Sequence, residues 1–172
     1  IVSGTRRSTS RNVVSSDGDV ISDVEVLPTE IDNHADTICV GKNCRVEYYT
    51  PYECSVSPFL EEYQEQQNVK ICTALTAASI PHTGETVILR LGQCLDFRHK
   101  LNKTLLNPNQ LRAFGINVCD DPTDEYRPLG IQLDDNTHLP LQMMGSICGL
   151  MTWSPTDEEL NSCRIFDVSD VH

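Results

Sequence analysis

Positive charge is scarce in this chain. Its 172 residues hold 13 Lys or Arg against 25 Asp or Glu, for a formal net charge of −12. Binding DNA or RNA through phosphates needs a basic footprint, so no nucleic-acid partner is expected. Arg6, Arg7 and Arg11 form the one basic cluster, and they lie in a Ser/Thr/Gly-rich leader that reads as a solvated tail. Aromatics are few at 6%, which leaves the core to Ile, Leu and Val. No run approaches the roughly 18 apolar residues of a membrane-spanning helix, so no membrane partner is expected. There is also no apolar segment of the secretion-signal kind near the start. The chain opens on Ile1 and not Met, as a processed or excised piece does.

Metal motifs are missing as well. No C-x2-C pair occurs, Cys39-x4-Cys44 lacks a second pair at finger spacing, and the five histidines are scattered. Asp120, Asp121, Asp134 and Asp135 do not follow EF-hand spacing and read as loop acids. Neither a metal nor an organic cofactor is expected.

Cysteine, by contrast, is plentiful: Cys39, Cys44, Cys54, Cys72, Cys94, Cys119, Cys148 and Cys163. An even number suits disulfides in an oxidising compartment. A chain of this length can bury a core without staples, so free buried thiols suit it equally. The first reading implies an extracellular protein and the second an intracellular one. The sequon Asn102-Lys103-Thr104 matters only in the first.

Residues 1–22 read as an N-terminal arm for assembly or linkage, and residues 23–172 as one domain with a C-terminal extension from about 120. Within the arm, Asn12-Val13-Val14 and Asp19-Val20-Ile21 are expected to add to the sheet edge of another subunit. Val24–Leu27 reads as a strand that Pro28 interrupts. Val69–Thr76 and Thr86–Leu91 alternate or run β-branched around the turn residues Pro81-His82-Thr83-Gly84, which reads as a long hairpin. Glu61–Gln67 reads as a solvated acidic loop. Leu111 lies in a short helix stopped at Gly115, and a second helix is expected to start at Ser154, with Pro155 in its first turn. The composition of elements is mainly β with two short helices.

Two stretches carry chemistry. The first is Glu30-Ile31-Asp32-Asn33-His34-Ala35-Asp36-Thr37-Ile38-Cys39-Val40-Gly41. The second is Thr104-Leu105-Leu106-Asn107-Pro108-Asn109-Gln110-Leu111 followed by Gly115. The first resembles the active-site loop of retropepsins, an apolar residue followed by Asp, Thr or Ser, Gly, Ala and a polar pair. The second resembles the Asn-Leu-Leu-Ser-x-x-Gln-Leu segment near the end of copia-type retrotransposon proteases. Thr73–Ala77 and Thr83–Leu89 fall where that family has the hairpin region that includes its flap. Residues 24–165 are similar to copia-type polyproteins.

The resemblance implies a retropepsin-like (acid protease) closed β-barrel or sandwich with one or two short helices. It makes Asp32 the catalytic aspartate and Asn33, His34, Ala35 and Asp36 the substrate-binding loop. Two carboxylates one hydrogen bond apart share a proton, so that one activates water and the other polarises the peptide carbonyl. Only one such loop occurs in the chain, which implies a homodimer cutting a peptide substrate. Asn33 stands where the family has Thr or Ser, and His34 where it has Gly. Those departures and the cysteines favour an alternative: a non-catalytic structural or assembly protein, a disulfide-stapled oligomer or filament subunit on the same fold.

Overall fold

A computed structural model describes residues 9–14, 20–57 and 66–170. Arg6, Arg7, Asp19 and the acids at 61–65 fall outside the described residues. The first half contains strands β1 (Thr9–Val14), β2 (Val20–Ile31), β3 (Cys39–Val40), β4 (Arg45–Val56), β5 (Gln66–Ser79) and β6 (Thr86–Asp96). Strand β7 (Thr104–Leu106) leads into helix α1 (Pro108–Ala113). Then come β8 (Asn117–Cys119), β9 (Gly130–Asp134), β10 (Thr137–Pro140), β11 (Gln142–Met144), β12 (Ile147–Thr152), helix α2 (Asp157–Ser162) and β13 (Arg164–Asp167). Among the described residues the chain is mainly β with two short helices. No helix among the described residues is long and apolar enough to cross a membrane.

The main sheet has the order β11-β12-β2-β7-β3-β6-β5-β4, with β1 on β2 and β13 on β6. That path does not return on itself, so the closed barrel expected from the sequence is not formed among the described residues. Its last strand, β4, is poorly suited to closure. Its register against β5 shifts three times, Pro51 removes a donor, and Tyr48, Tyr49 and Tyr52 are exposed. A small second sheet, β10-β9-β8, packs on the first.

The long hairpin read from the alternation at 69–76 and the β-branched run at 86–91 is present as β5 and β6, antiparallel from Ser79↔Thr86 to Ile71↔Leu95. Leu89 and Leu91 of β6, Leu106 of β7, Leu111 of α1 and Ile131 and Leu139 of the second sheet are wholly buried in one cluster. Each such side chain contributes about 2 kcal/mol relative to exposure. Residues beyond 120 share this core, since Leu150 and Val168 belong to the same cluster.

Three expectations are corrected. Pro28 does not end a strand, because β2 runs through it to Ile31. On the side away from β12 no strand is in register with Pro28, so its missing N–H costs no ladder bond there. The Asn43 side chain fills that gap, donating to the carbonyls of Leu27 (3.3 Å) and Pro28 (3.1 Å). Secondly, α2 is capped by Thr156 and not Ser154, because Thr156 and Glu159 form a reciprocal capping box. Lastly, the run Asn12–Val14 pairs with β2 of its own chain, in register from Thr9↔Val26 to Val14↔Val20. Pairing with the next strand in sequence closes a short loop, which costs less entropy than recruiting a second chain.

Candidate active-site loop

Asp32 follows directly on β2. Its backbone N–H donates to the Leu106 carbonyl at 2.9 Å, continuing the parallel β2–β7 ladder by one residue. Its Oδ1 accepts the His34 N–H at 2.9 Å, which turns the chain tightly and fixes the half-buried carboxylate at the bend. Asn33, His34 and Asp36 are exposed, and Ala35 and Thr37 are half-buried. After the loop the chain returns as β3, which pairs antiparallel with β7 (Cys39↔Leu105) and parallel with β6 (Cys39↔Leu95, Val40↔Asp96). Strand β7 therefore lies between the two strands that flank the loop. Close approach there requires glycine at 41, where a Cβ would collide with the Lys103 carbonyl.

The two stretches singled out in the sequence meet here. Asn107 Nδ2 donates to the Ala35 carbonyl at 2.6 Å. Its Oδ1 accepts the N–H groups of Asn109 and Gln110 and so caps α1. Gln110 Oε1 accepts the Ile38 N–H at 3.0 Å and lies 3.0 Å from the Thr37 hydroxyl. Gln110 Nε2 donates to the carbonyls of Gly92 (3.2 Å) and Gln93 (3.3 Å), where β6 bulges and Gln93 takes a left-handed φ of 53°. Both ends of one amide thus tie the loop to the α1 and β6 scaffold.

The turn of the β5–β6 hairpin does not cover this loop. Gln93 touches the loop, and the seven residues back to Thr86 span roughly 23 Å of strand. Burial, then the nearby Asp32 carboxylate, then Cys54 of β4 push the Cys39 thiol up to about 11.

Between β2, β5, β7 and β12 lies a polar knot without charge. Asn43 Nδ2 donates to the hydroxyls of Thr29 (3.0 Å) and Thr152 (2.9 Å), and its Oδ1 accepts from Thr104 (2.7 Å). The Thr76 hydroxyl lies 2.8 Å from that of Thr152, and Cys44 Sγ 3.2 Å from that of Thr104. All of these side chains are buried. Beside the knot, Glu30 is only 2% exposed and its Oε2 accepts Lys103 Nζ at 2.8 Å.

All eight cysteines are free thiols, so the stapled reading's four disulfides are not present. Five of the thiols are buried, four of them in the main core cluster at Cys44, Cys72, Cys94 and Cys148, where they pack as small apolar groups. No group of three His, Cys, Asp or Glu is placed to hold a metal ion among the described residues. Asp120 accepts from Arg112, Asp121 from Thr123, and Asp134, at the end of β9, from the Asn136 N–H and from Arg164 across the fold. Asn107 and Gln110 were not expected to hold the loop, and their only sequence signal was membership of the second stretch. No protein-family model, curated protein or solved structure matches the chain.

Proposed function

We propose that this chain is a retropepsin-like aspartic endopeptidase of the copia-retrotransposon type, acting as a homodimer in processing its own polyprotein. The observation that carries the reading is β7 lying between β2 and β3, with Asp32 at the bend those strands create and Asn107 and Gln110 bracing the bend. A carboxylate doing acid–base work needs a fixed position, and this loop is fixed from both ends. Each chain supplies one Asp32. Across a two-fold axis the pair shares one proton; the charged member takes a proton from water as the water attacks, and the protonated member polarises the peptide carbonyl. The titration belongs to the pair. Asn33, His34, Ala35 and Asp36 line the approach to Asp32 and contact substrate. No metal or organic cofactor takes part, and the location is intracellular.

Asn33 and His34 favour a second reading, a non-catalytic assembly protein on the same fold. Neither supplies the hydroxyl or the glycine that the family has at those positions. The two readings separate on Asp32→Asn, a change at a half-buried bend that leaves the fold intact. Under the protease reading the wild type cleaves polyprotein peptides and sediments at twice 19.2 kDa, and the variant sediments alike but does not cleave. Equal cleavage by both forms, or none by either, removes the protease reading.

A further inference from the structure

We propose that Cys72 and Cys94 are a redox modification site, a thiol pair that hydrogen peroxide joins in a cross-strand disulfide. The two are direct partners in the antiparallel β5–β6 ladder. Direct partners present their side chains on the same face, with Cα atoms about 4.5 or 5.5 Å apart according to the type of pair. Both spacings fall within the roughly 4.4–6.8 Å that a disulfide spans. Both residues have no exposed surface and belong to one core cluster, so few other oxidation products fit around them. The nearest rival, Cys44, is not on either strand, and its sulfur is engaged by the Thr104 hydroxyl.

The chemistry balances. One thiolate attacks a peroxide oxygen, giving a sulfenic acid and, after proton transfer, one water. The second thiolate attacks that sulfur, the S–S bond forms, and hydroxide leaves to take up the second proton as water. Two thiols lose two electrons in all, and one peroxide becomes two waters. Cys94 gives up S–H contacts to the Leu91 (3.2 Å) and Gly92 (3.4 Å) carbonyls. The Gly92 carbonyl keeps Ser169 Oγ and Gln110 Nε2 as donors, so that acceptor is not stranded. Burial pushes the Cys72 thiol up to about 12, and that of Cys94 upward as well, which keeps the thiolates rare. Closure is therefore slow and proceeds through local opening of the bulge at Gln93.

The site has a regulatory consequence. A Cys72–Cys94 bond pins β5 to β6 immediately beside the Gly92 and Gln93 carbonyls, the anchors of Gln110. Oxidation thus stiffens the support of the loop 32–38. Its effect on cleavage rests on the protease reading; the bond itself does not.

The test uses the full chain and needs no substrate. The reduced protein is treated with hydrogen peroxide, trapped with iodoacetamide and digested by trypsin without reduction. Cleavage after Lys70, Arg90 and Arg98 puts Cys72 and Cys94 on separate peptides. The expected product is those two peptides joined, two hydrogens lighter than their sum, together with slower amide exchange at Ile38 in the oxidised protein. Recovery of Cys72 and Cys94 as alkylated thiols while other cysteines oxidise overturns the proposal, as does a dominant link from either to Cys44. An Ile38 exchange rate unchanged by the bond overturns its coupling to the loop. Because none of these readouts is proteolysis, a chain that cuts no peptide leaves them intact.

Discussion

Gln110 holds the backbone of a residue 72 positions earlier: its Oε1 accepts the Ile38 N–H at 3.0 Å while its Nε2 donates to Gly92 and Gln93. One side chain thus sets the height of the loop 32–38 against both α1 and β6. Gln110→Ala leaves the Ile38 N–H without its acceptor and frees the loop to shift. The expected loss of stability is about 1–3 kcal/mol by urea unfolding. If Asp32 is catalytic, the turnover number falls by roughly 100-fold, the effect of a 1 Å misplacement, with KM changed far less. Wild-type turnover in the variant would show that the loop holds its position without Gln110.

Asn43 is the centre of the buried knot, with Thr29, Thr104 and Thr152 all bonded to its side chain. Asn43→Leu keeps the volume but removes the acceptor for the Thr104 hydroxyl and the donor to Thr29, Thr152 and the carbonyls of Leu27 and Pro28. The expected cost is about 3 kcal/mol or more, because several buried groups lose partners at once. Thr152→Val, which removes one hydroxyl from the edge of the knot, is expected to cost about 1 kcal/mol. Equal losses in the two variants would mean that the knot has no centre.

The buried thiols define an alkaline limit. Burial pushes Cys44 and Cys148 up to about 11 and Cys72 up to about 12. In the unfolded chain these groups ionise near 8.5, so between that value and 11–12 the unfolded state loses protons that the folded state keeps. Their contribution is fully present below pH 8.5 and is lost as pH rises through the folded values. The melting temperature is therefore expected to fall steeply above pH 9, and Cys72→Ala to fall less steeply. Parallel pH profiles for the two proteins would contradict this origin.

Residues 120–170 are structurally integral. Strand β12 pairs with β2 through Gly149–Thr152, Trp153 exchanges two backbone bonds with Ala77, and Leu150 and Val168 fill the main core. A fragment ending at 120 is expected to show no cooperative thermal transition by circular dichroism. A sharp transition in that fragment would make the C-terminal region a separable extension.

Much of the frame was legible from local pattern. Alternation at period two marks β5, a β-branched run marks β6, and Gly115 stops α1, because each of those signals acts within a few residues. Pro28 misled, since whether a proline breaks a strand depends on which side of the strand has a neighbour. The open path of the sheet was also hidden: closure depends on how β4 and β11 meet, and no single segment encodes that. Asp32 stood out by its motif. The groups that hold its loop did not, because a side-chain amide reaching a backbone some 70 residues away leaves no periodic trace. Thr156 was visible in principle through its Thr-x-x-Glu spacing, yet Ser154 and Pro155 gave a competing start signal two residues earlier.

The central claim concerns a pair of carboxylates, and the separation of the two Asp32 side chains in the assembled protein tests it most directly. An experimental structure of the dimer is expected to show them within hydrogen-bond reach across a two-fold axis, about 3 Å apart. A separation beyond about 10 Å, roughly three hydrogen-bond lengths, or an Asp32 facing solvent alone, would contradict it.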